Sequence, residues 1–212
     1  MDLEAAKAQL FKHLAWEIRD GRVVEAMQRV PREDFVPPAY RASAYDDRPL
    51  GIGYGQTISQ PFIVAMMVEA LQLKNTDKVL EVGSGSGYVA AILAQLADRV
   101  IGVEIVPELA DFAAATLAEL SYTNIAIHLV PKTALGYIPE APYDAIIVSA
   151  GAPAIPPLLL AQLRWGGRLV IPVGSRWQQN LVKITRLPEG DTVEDLGACY
   201  FVPLLGEGAW NG

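Results

Sequence analysis

Two acids and a run of alternating glycines carry the first chemistry legible in this chain. Lys78-Val79-Leu80-Glu81-Val82-Gly83-Ser84-Gly85-Ser86-Gly87-Tyr88 reads as a short apolar strand with an acid near its end, a glycine-rich turn and the start of a helix. Alternate glycines let the backbone turn sharply and approach a ligand, because no Cβ intervenes. Such a turn at the carboxyl end of a parallel strand is where open α/β sheets bind cofactors. A second acid, Glu104, ends Gly102-Val103-Glu104 at the tip of the next strand, where it can accept hydrogen bonds from both hydroxyls of a ribose. A dinucleotide fingerprint would need its third glycine at Tyr88. Glu81 would repel a pyrophosphate, and it would face the cationic amino-acid end of S-adenosyl-L-methionine. The acids therefore favour adenosylmethionine over NAD.

A second polar stretch lies upstream. Pro49-Leu50-Gly51-Ile52-Gly53-Tyr54-Gly55 alternates glycine with apolar or aromatic residues, and Gln56, Thr57, Ser59 and Gln60 follow before Pro61. A long loop of this composition reads as functional and not as a mere connector.

The elements that must position these residues follow from periodicity. Leu3, Ala6, Leu10, Leu14 and Ile18 form one apolar stripe of a helix stopped at Asp20-Gly21, and a second short helix spans Val23–Arg29. Val30 to Pro38 is turn-rich, so residues 1–60 read as a helical cap, or a substrate lid, plus a loop. A helix opens at Pro61, capped from Ser59 or Gln60. From Asp77 the pattern alternates: strands at 79–82, 100–103, 125–129, 145–148 and 168–171, and helices at 88–97, 107–120 and 156–163. Gly166-Gly167 reads as a tight turn into the strand at Arg168. Apolar strands separated by helices predict an α/β fold, Rossmann-like, with a mostly parallel doubly wound sheet. The tail, 176–212, predicts an antiparallel edge from Leu181–Thr185 and Ala198–Leu204. No linker interrupts 1–212, so a single domain is expected, with its cofactor core at 77–175.

Composition narrows the function. The 212 residues carry a net charge of −7, and the first fifty hold eight Lys/Arg against nine Asp/Glu. This argues against a nucleic-acid or anionic-membrane partner, which would need a basic face. Two histidines and one cysteine leave little for a metal site or a disulfide framework. The start of the chain lacks the basic-then-apolar layout of a secretory leader, and a cytoplasmic location is expected. Oligomeric state is not legible; a monomer is the expectation.

Taken with the glycine-rich turn, the chain resembles the protein-L-isoaspartate (D-aspartate) O-methyltransferase family. The resemblance rests on Val30-Pro31-Arg32-Glu33-Asp34-Phe35-Val36-Pro37, Gly53-Tyr54-Gly55-Gln56-Thr57-Ile58-Ser59-Gln60-Pro61, the 80–88 turn, Pro142 to Val148, Gly166 to Gly174 and Phe201-Val202-Pro203-Leu204. The 53–61 segment is the diagnostic piece. The resemblance implies methyl transfer from S-adenosyl-L-methionine to the free carboxylate of an isoaspartyl residue in damaged peptides and unfolded protein segments, leaving S-adenosyl-L-homocysteine. It implies catalytic roles for Ser59 and Thr57, substrate contacts from Gln56, Ile58 and Gln60, and a cofactor cradle of Glu81, Gly83, Ser84, Gly85, Ser86, Gly87, Glu104 and Ile105. A carboxylate is already ionised at neutral pH, so the reaction needs alignment and not a general base.

One stretch departs from the resemblance. Where the family usually carries Gly-Asp-Gly, whose acid meets the adenine amino group, this chain has Val130-Pro131-Lys132-Thr133-Ala134-Leu135-Gly136. Lys132 and Thr133 fall at the adenine end, with Thr133 or a backbone carbonyl as the substitute acceptor. The alternatives left open are a relative with weakened cofactor binding that acts on another carboxylate, or one that is not catalytic.

Overall fold

The computed structural model describes every residue except Met1, Glu207, Asn211 and Gly212. The chain opens with α1 (Leu3–Glu17) and α2 (Gly21–Arg29). Asp20, expected to stop the first helix, instead caps the second, its carboxylate accepting from Arg22 N at 3.1 Å. Two 3-10 turns, Arg32–Phe35 and Pro38–Ser43, follow.

The segment read as a loop is a hairpin, β1 (Leu50–Gly53) paired with β2 (Gln56–Ile58). Tyr54 and Gly55 both have positive φ, at 54° and 73°, the signature of a two-residue hairpin turn that matches strand twist. Tyrosine is an uncommon first residue for such a turn, which kept the strands hidden in the sequence. α3 (Pro61–Leu71) comes next. Its first turn is served by a distant side chain: Asp47 accepts from Phe62 N at 2.9 Å and from Gln60 Nε2 at 3.0 Å.

The sheet is built from β3 (Lys78–Val82), β4 (Arg99–Glu104), β5 (Ile125–Leu129), β6 (Tyr143–Val148), β7 (Leu163–Gly174), β8 (Gln179–Thr185) and β9 (Thr192–Cys199). Their order is β5-β4-β3-β6-β7-β8-β9, parallel through β7 and antiparallel beyond it. α4 (Tyr88–Ala94), α5 (Pro107–Glu119) and α6 (Pro157–Ala161) connect the parallel strands. Two apolar clusters flank the sheet. One joins Val79, Val100 and Val170 to the N-terminal helices and to α4; the other joins Leu80, Ile101 and Leu169 to Leu159 of α6 and to Leu135. Order reverses between β3 and β6, so a crevice opens at their carboxyl ends.

Three expectations shift. Gly166 and Gly167 lie within β7, whose pairing slips between Tyr143 and Ala145 of β6. α6 is shorter than the expected 156–163. The last strand ends at Cys199, and Phe201 to Leu204, expected as strand, instead crosses the tip of β6. There Gly151 N donates to Val202 O at 2.8 Å, and Leu204 N donates to Gly151 O at 2.8 Å. Backbone pairing decides this, since an apolar run reads alike as strand or strap.

Candidate active site

The crevice is a cavity of about 900 Å³, counting its open mouth. Its walls come from the turn after β3, the β4 tip, the β2 hairpin strand, Ser149 after β6, and the strap Val202–Leu205. Gln56, Thr57, Ile58 and Ser59 all line it, as do Glu81, Gly83, Ser84, Gly85, Ser86, Glu104 and Ile105. A second cavity adjoins it, lined by Gln60, Ile63, Cys199 and Tyr200, and shares Thr57, Ser59, Ser149 and Val202 with the first. The hydroxyl-bearing end of the hairpin therefore stands between two spaces.

Glu81 is 1 % exposed, yet neither of its carboxylate oxygens has a hydrogen-bond partner, and the buried Ser84 hydroxyl also lacks one. Burial pushes the Glu81 carboxyl up to about 8; the nearby Ser84 hydroxyl and Ala90 N–H oppose the rise without closing to a hydrogen bond of ordinary geometry, and the Glu104 charge adds to it. A buried, unpaired acid is costly unless something arrives to pair with it. The sulfonium and ammonium of adenosylmethionine are groups of the right sign, so the donor set fits that cofactor.

Glu104 has a structural task as well. Oε1 accepts from Ile105 N at 2.7 Å and Val106 N at 3.0 Å, and Oε2 accepts from Gly85 N at 2.8 Å. It thus ties the glycine turn to the β4 tip. A carboxylate has about four acceptor sites, so one remains on Oε2 for a ribose hydroxyl. Gly83 N and Ser84 N both donate to Val103 O, which holds the turn against β4. At Gly102 a Cβ would lie 2.4 Å from Ser84 Oγ, so β4 leaves room for that side chain. Gly87 serves packing: at φ 88° it precedes α4, and a Cβ there would meet Ala113 at 3.1 Å.

The remaining predicted residues are placed differently. Lys132 and Thr133 are exposed and outside the lining of the first cavity, where Val130, Ala134, Leu135 and Gly136 form the wall instead. Two buried glutamines that the sequence did not signal hold two of the irregular walls in place. Gln162 donates to Leu135 O at 2.9 Å and accepts from Tyr137 N at 2.7 Å. Gln179 donates to Phe201 O at 3.2 Å and accepts from Phe201 N at 2.8 Å. His128 stacks on Tyr137 at 4.2 Å and is not in either cavity lining. Asp144, at the opposite end of the sheet, accepts from Lys78 N and pairs with Arg164.

A doubly wound sheet, a glycine turn after its central strand, an orphaned acid below that turn and a second acid on the next strand define a Rossmann-like S-adenosylmethionine-dependent methyltransferase. The comparisons with known proteins sharpen this. Residues 5–209 match the model of the protein-L-isoaspartate(D-aspartate) O-methyltransferase family, to which the chain belongs. A protein-L-isoaspartate O-methyltransferase of Syntrophus aciditrophicus is 53% identical over 198 residues, covering 92% of this chain and 90% of the relative. A solved protein-L-isoaspartate O-methyltransferase superposes with a TM-score of 0.82 at 25% identity, covering 95% of this chain and 67% of the other. A Plasmodium falciparum beta-aspartate methyltransferase, solved in complex with S-adenosyl-L-homocysteine, gives 0.78 at 28% identity, covering 92% and 96%.

Proposed function

We propose that this protein transfers a methyl group from S-adenosyl-L-methionine to the free carboxylate of isoaspartyl residues in damaged proteins and peptides. The observation that carries the reading is the common wall of the two cavities. Thr57 and Ser59 face both a space bordered by Glu81 and Glu104 and a space bordered by the end of β9.

When bound, adenosylmethionine supplies a methyl group on a sulfonium, an electrophile that already carries its leaving group. The chain's own residues do the rest by placement. Glu81 neutralises positive charge inside the first cavity, and Glu104 both fixes the glycine turn and offers an acceptor. The hydroxyls of Thr57 and Ser59 make no hydrogen bond among the described residues, so they are free to donate to an acceptor carboxylate. Ile58, 4 % exposed, anchors the strand between them. Alignment and exclusion of water suffice for this displacement. At the adenine end, Val130, Ala134 and Gly136 line the cavity, and a backbone carbonyl of that wall is the substitute for the missing acid on this reading. The family match and a relative 53% identical support a catalytic chain over a non-catalytic one.

The same reading has the chain acting as one unit, as a cytoplasmic monomer without nucleic-acid or membrane partners. The net charge of −7 speaks against nucleic-acid and anionic-membrane partners, and among the described residues no helix is long and apolar enough to cross a membrane.

The test pairs an isoaspartyl peptide with its normal aspartyl counterpart. Methyl ester is expected on the first and not on the second, and equal labelling would overturn the substrate assignment. Ser59→Ala is expected to lower kcat/KM for the isoaspartyl peptide by about ten- to a hundredfold while leaving adenosylhomocysteine affinity unchanged, the loss typical of a hydrogen bond to a charged group.

A further inference from the structure

Arg32 is fully buried, 0 % exposed, in the turn between the N-terminal helices and the hairpin. Its Nε donates to Ala44 O at 2.7 Å and its Nη2 to Ser59 O at 2.8 Å. The guanidinium lies 4.7 Å from the centre of the Tyr88 ring. Nη1 is buried and has no partner. No carboxylate pairs with Arg32 among the described residues. The acids of the neighbourhood are committed elsewhere: Asp47 to the start of α3, and Glu33 to the Tyr45 hydroxyl at 2.5 Å. Burial pushes the guanidinium below its ordinary value, but arginine keeps its proton in proteins.

A full positive charge therefore sits without a directly paired carboxylate, opposed only at longer range by the Asp47 charge, at considerable desolvation cost. What it touches is informative. Ser59 borders both cavities and Tyr88 borders the first. We infer that Arg32 is a positioning residue for the acceptor: it fixes the Ser59 end of the hairpin through the Ser59 carbonyl, and its charge, which no carboxylate contacts directly, selects an anionic acceptor over a neutral one. The inference rests on the isoaspartyl reading and deepens it. A carboxylate held at the Ser59 hydroxyl feels the charge behind that residue, since attraction in a partly buried setting persists over several ångströms. A carboxamide of the same shape carries no net charge to feel it.

The experiment titrates two peptides into protein saturated with S-adenosyl-L-homocysteine. They are identical except that one carries the isoaspartyl carboxylate and the other its carboxamide. The wild-type protein is expected to prefer the carboxylate by about tenfold or more. Arg32→Gln is expected to lose most of that ratio, with adenosylhomocysteine affinity held within about twofold, because that ligand has no net charge. Arg32→Lys keeps the charge but not the two-point hold, so it keeps the ratio and raises KM more than it lowers kcat. A purely structural Arg32 would weaken both peptides alike and leave the ratio intact, which overturns the proposal. Should Arg32→Gln fail to fold, the guanidinium nitrogen resonances of the wild-type protein decide. They are expected to shift with the carboxylate peptide more than with the carboxamide, and equal shifts overturn the proposal. Methylation of the isoaspartyl peptide is followed in parallel. A wild type that methylates it, with a ratio unmoved in Arg32→Gln, removes the Arg32 role alone, and a wild type that methylates none removes both readings.

Discussion

With Glu81 assigned to the cofactor cavity as proposed, its burial sets how cofactor binding should respond to pH. Its carboxyl moves from an ordinary 4.5 to about 8 in the ligand-free fold because burial favours the neutral form. The folded state then holds a proton that the unfolded state has released. Stability therefore falls as pH rises from about 4.5 to about 8 and levels off above. A cation placed beside the carboxylate reverses the preference, so binding near neutral pH expels a proton and affinity climbs until about pH 8. Calorimetry of adenosylmethionine in two buffers of different ionisation heat is expected to read nearly one proton released. Glu81→Gln is expected to abolish that release and weaken binding by about ten- to a hundredfold, as loss of a charged partner does. A proton count unchanged in the variant would sink the assignment. The sequence exposes this residue because glycine spacing and a strand-tip acid are local signals. Arg32, Gln162 and Gln179 send none. Their partners are backbone groups far along the chain, and a buried polar residue looks in sequence like a surface one.

Among the elements, the strap after β9 and the loop after β5 complete the cavity, and each depends on one amide side chain. Gln179 satisfies both backbone groups of Phe201 and packs where a Cβ at Gly151 would come within 2.5 Å. Gln179→Leu strips both bonds from the buried backbone N–H and C=O of Phe201, so a loss of about 1–3 kcal/mol is expected in denaturant unfolding. Amide exchange should quicken across 201–204, and adenosylhomocysteine affinity should drop roughly tenfold. Exchange rates unchanged in that segment would mean that the strap holds itself. The strands and helices of the sheet were legible because apolar periodicity reports burial directly. The hairpin was not, since β1 and β2 are short and glycine-rich, and neither was the strap. The adenine-side loop has no period at all, so the expectation at Lys132 and Thr133 rested on the family resemblance alone, while its wall is set by the Gln162 contacts.

At the scale of the whole molecule, a buried ion pair anchors the sheet at the end away from the site. Arg168 of β7 meets Asp77, which precedes β3, at 2.6 Å, with side chains 8% and 2% exposed, and donates to Leu71 O and Gln72 O at the end of α3. Removing one partner of such a pair leaves a buried charge, so Asp77→Ala is expected to cost about 3–5 kcal/mol in unfolding free energy. Adenosylhomocysteine affinity of the folded fraction should be unchanged, because the pair lies at the amino end of β3 and the cavity at its carboxyl end. The fold class was readable without this pair, whose members stand 91 residues apart. The glutamine clamps carry one more implication. They bear no charge, and the ion pair that braces the sheet is shielded from solvent, so dissolved salt has little purchase on the shape of the cavity. Turnover at saturating substrate should therefore stay nearly flat as ionic strength climbs from roughly 50 to 500 mM, a range over which exposed charges are progressively screened. What salt can reach is the approach of a charged peptide, and its effect should surface in KM.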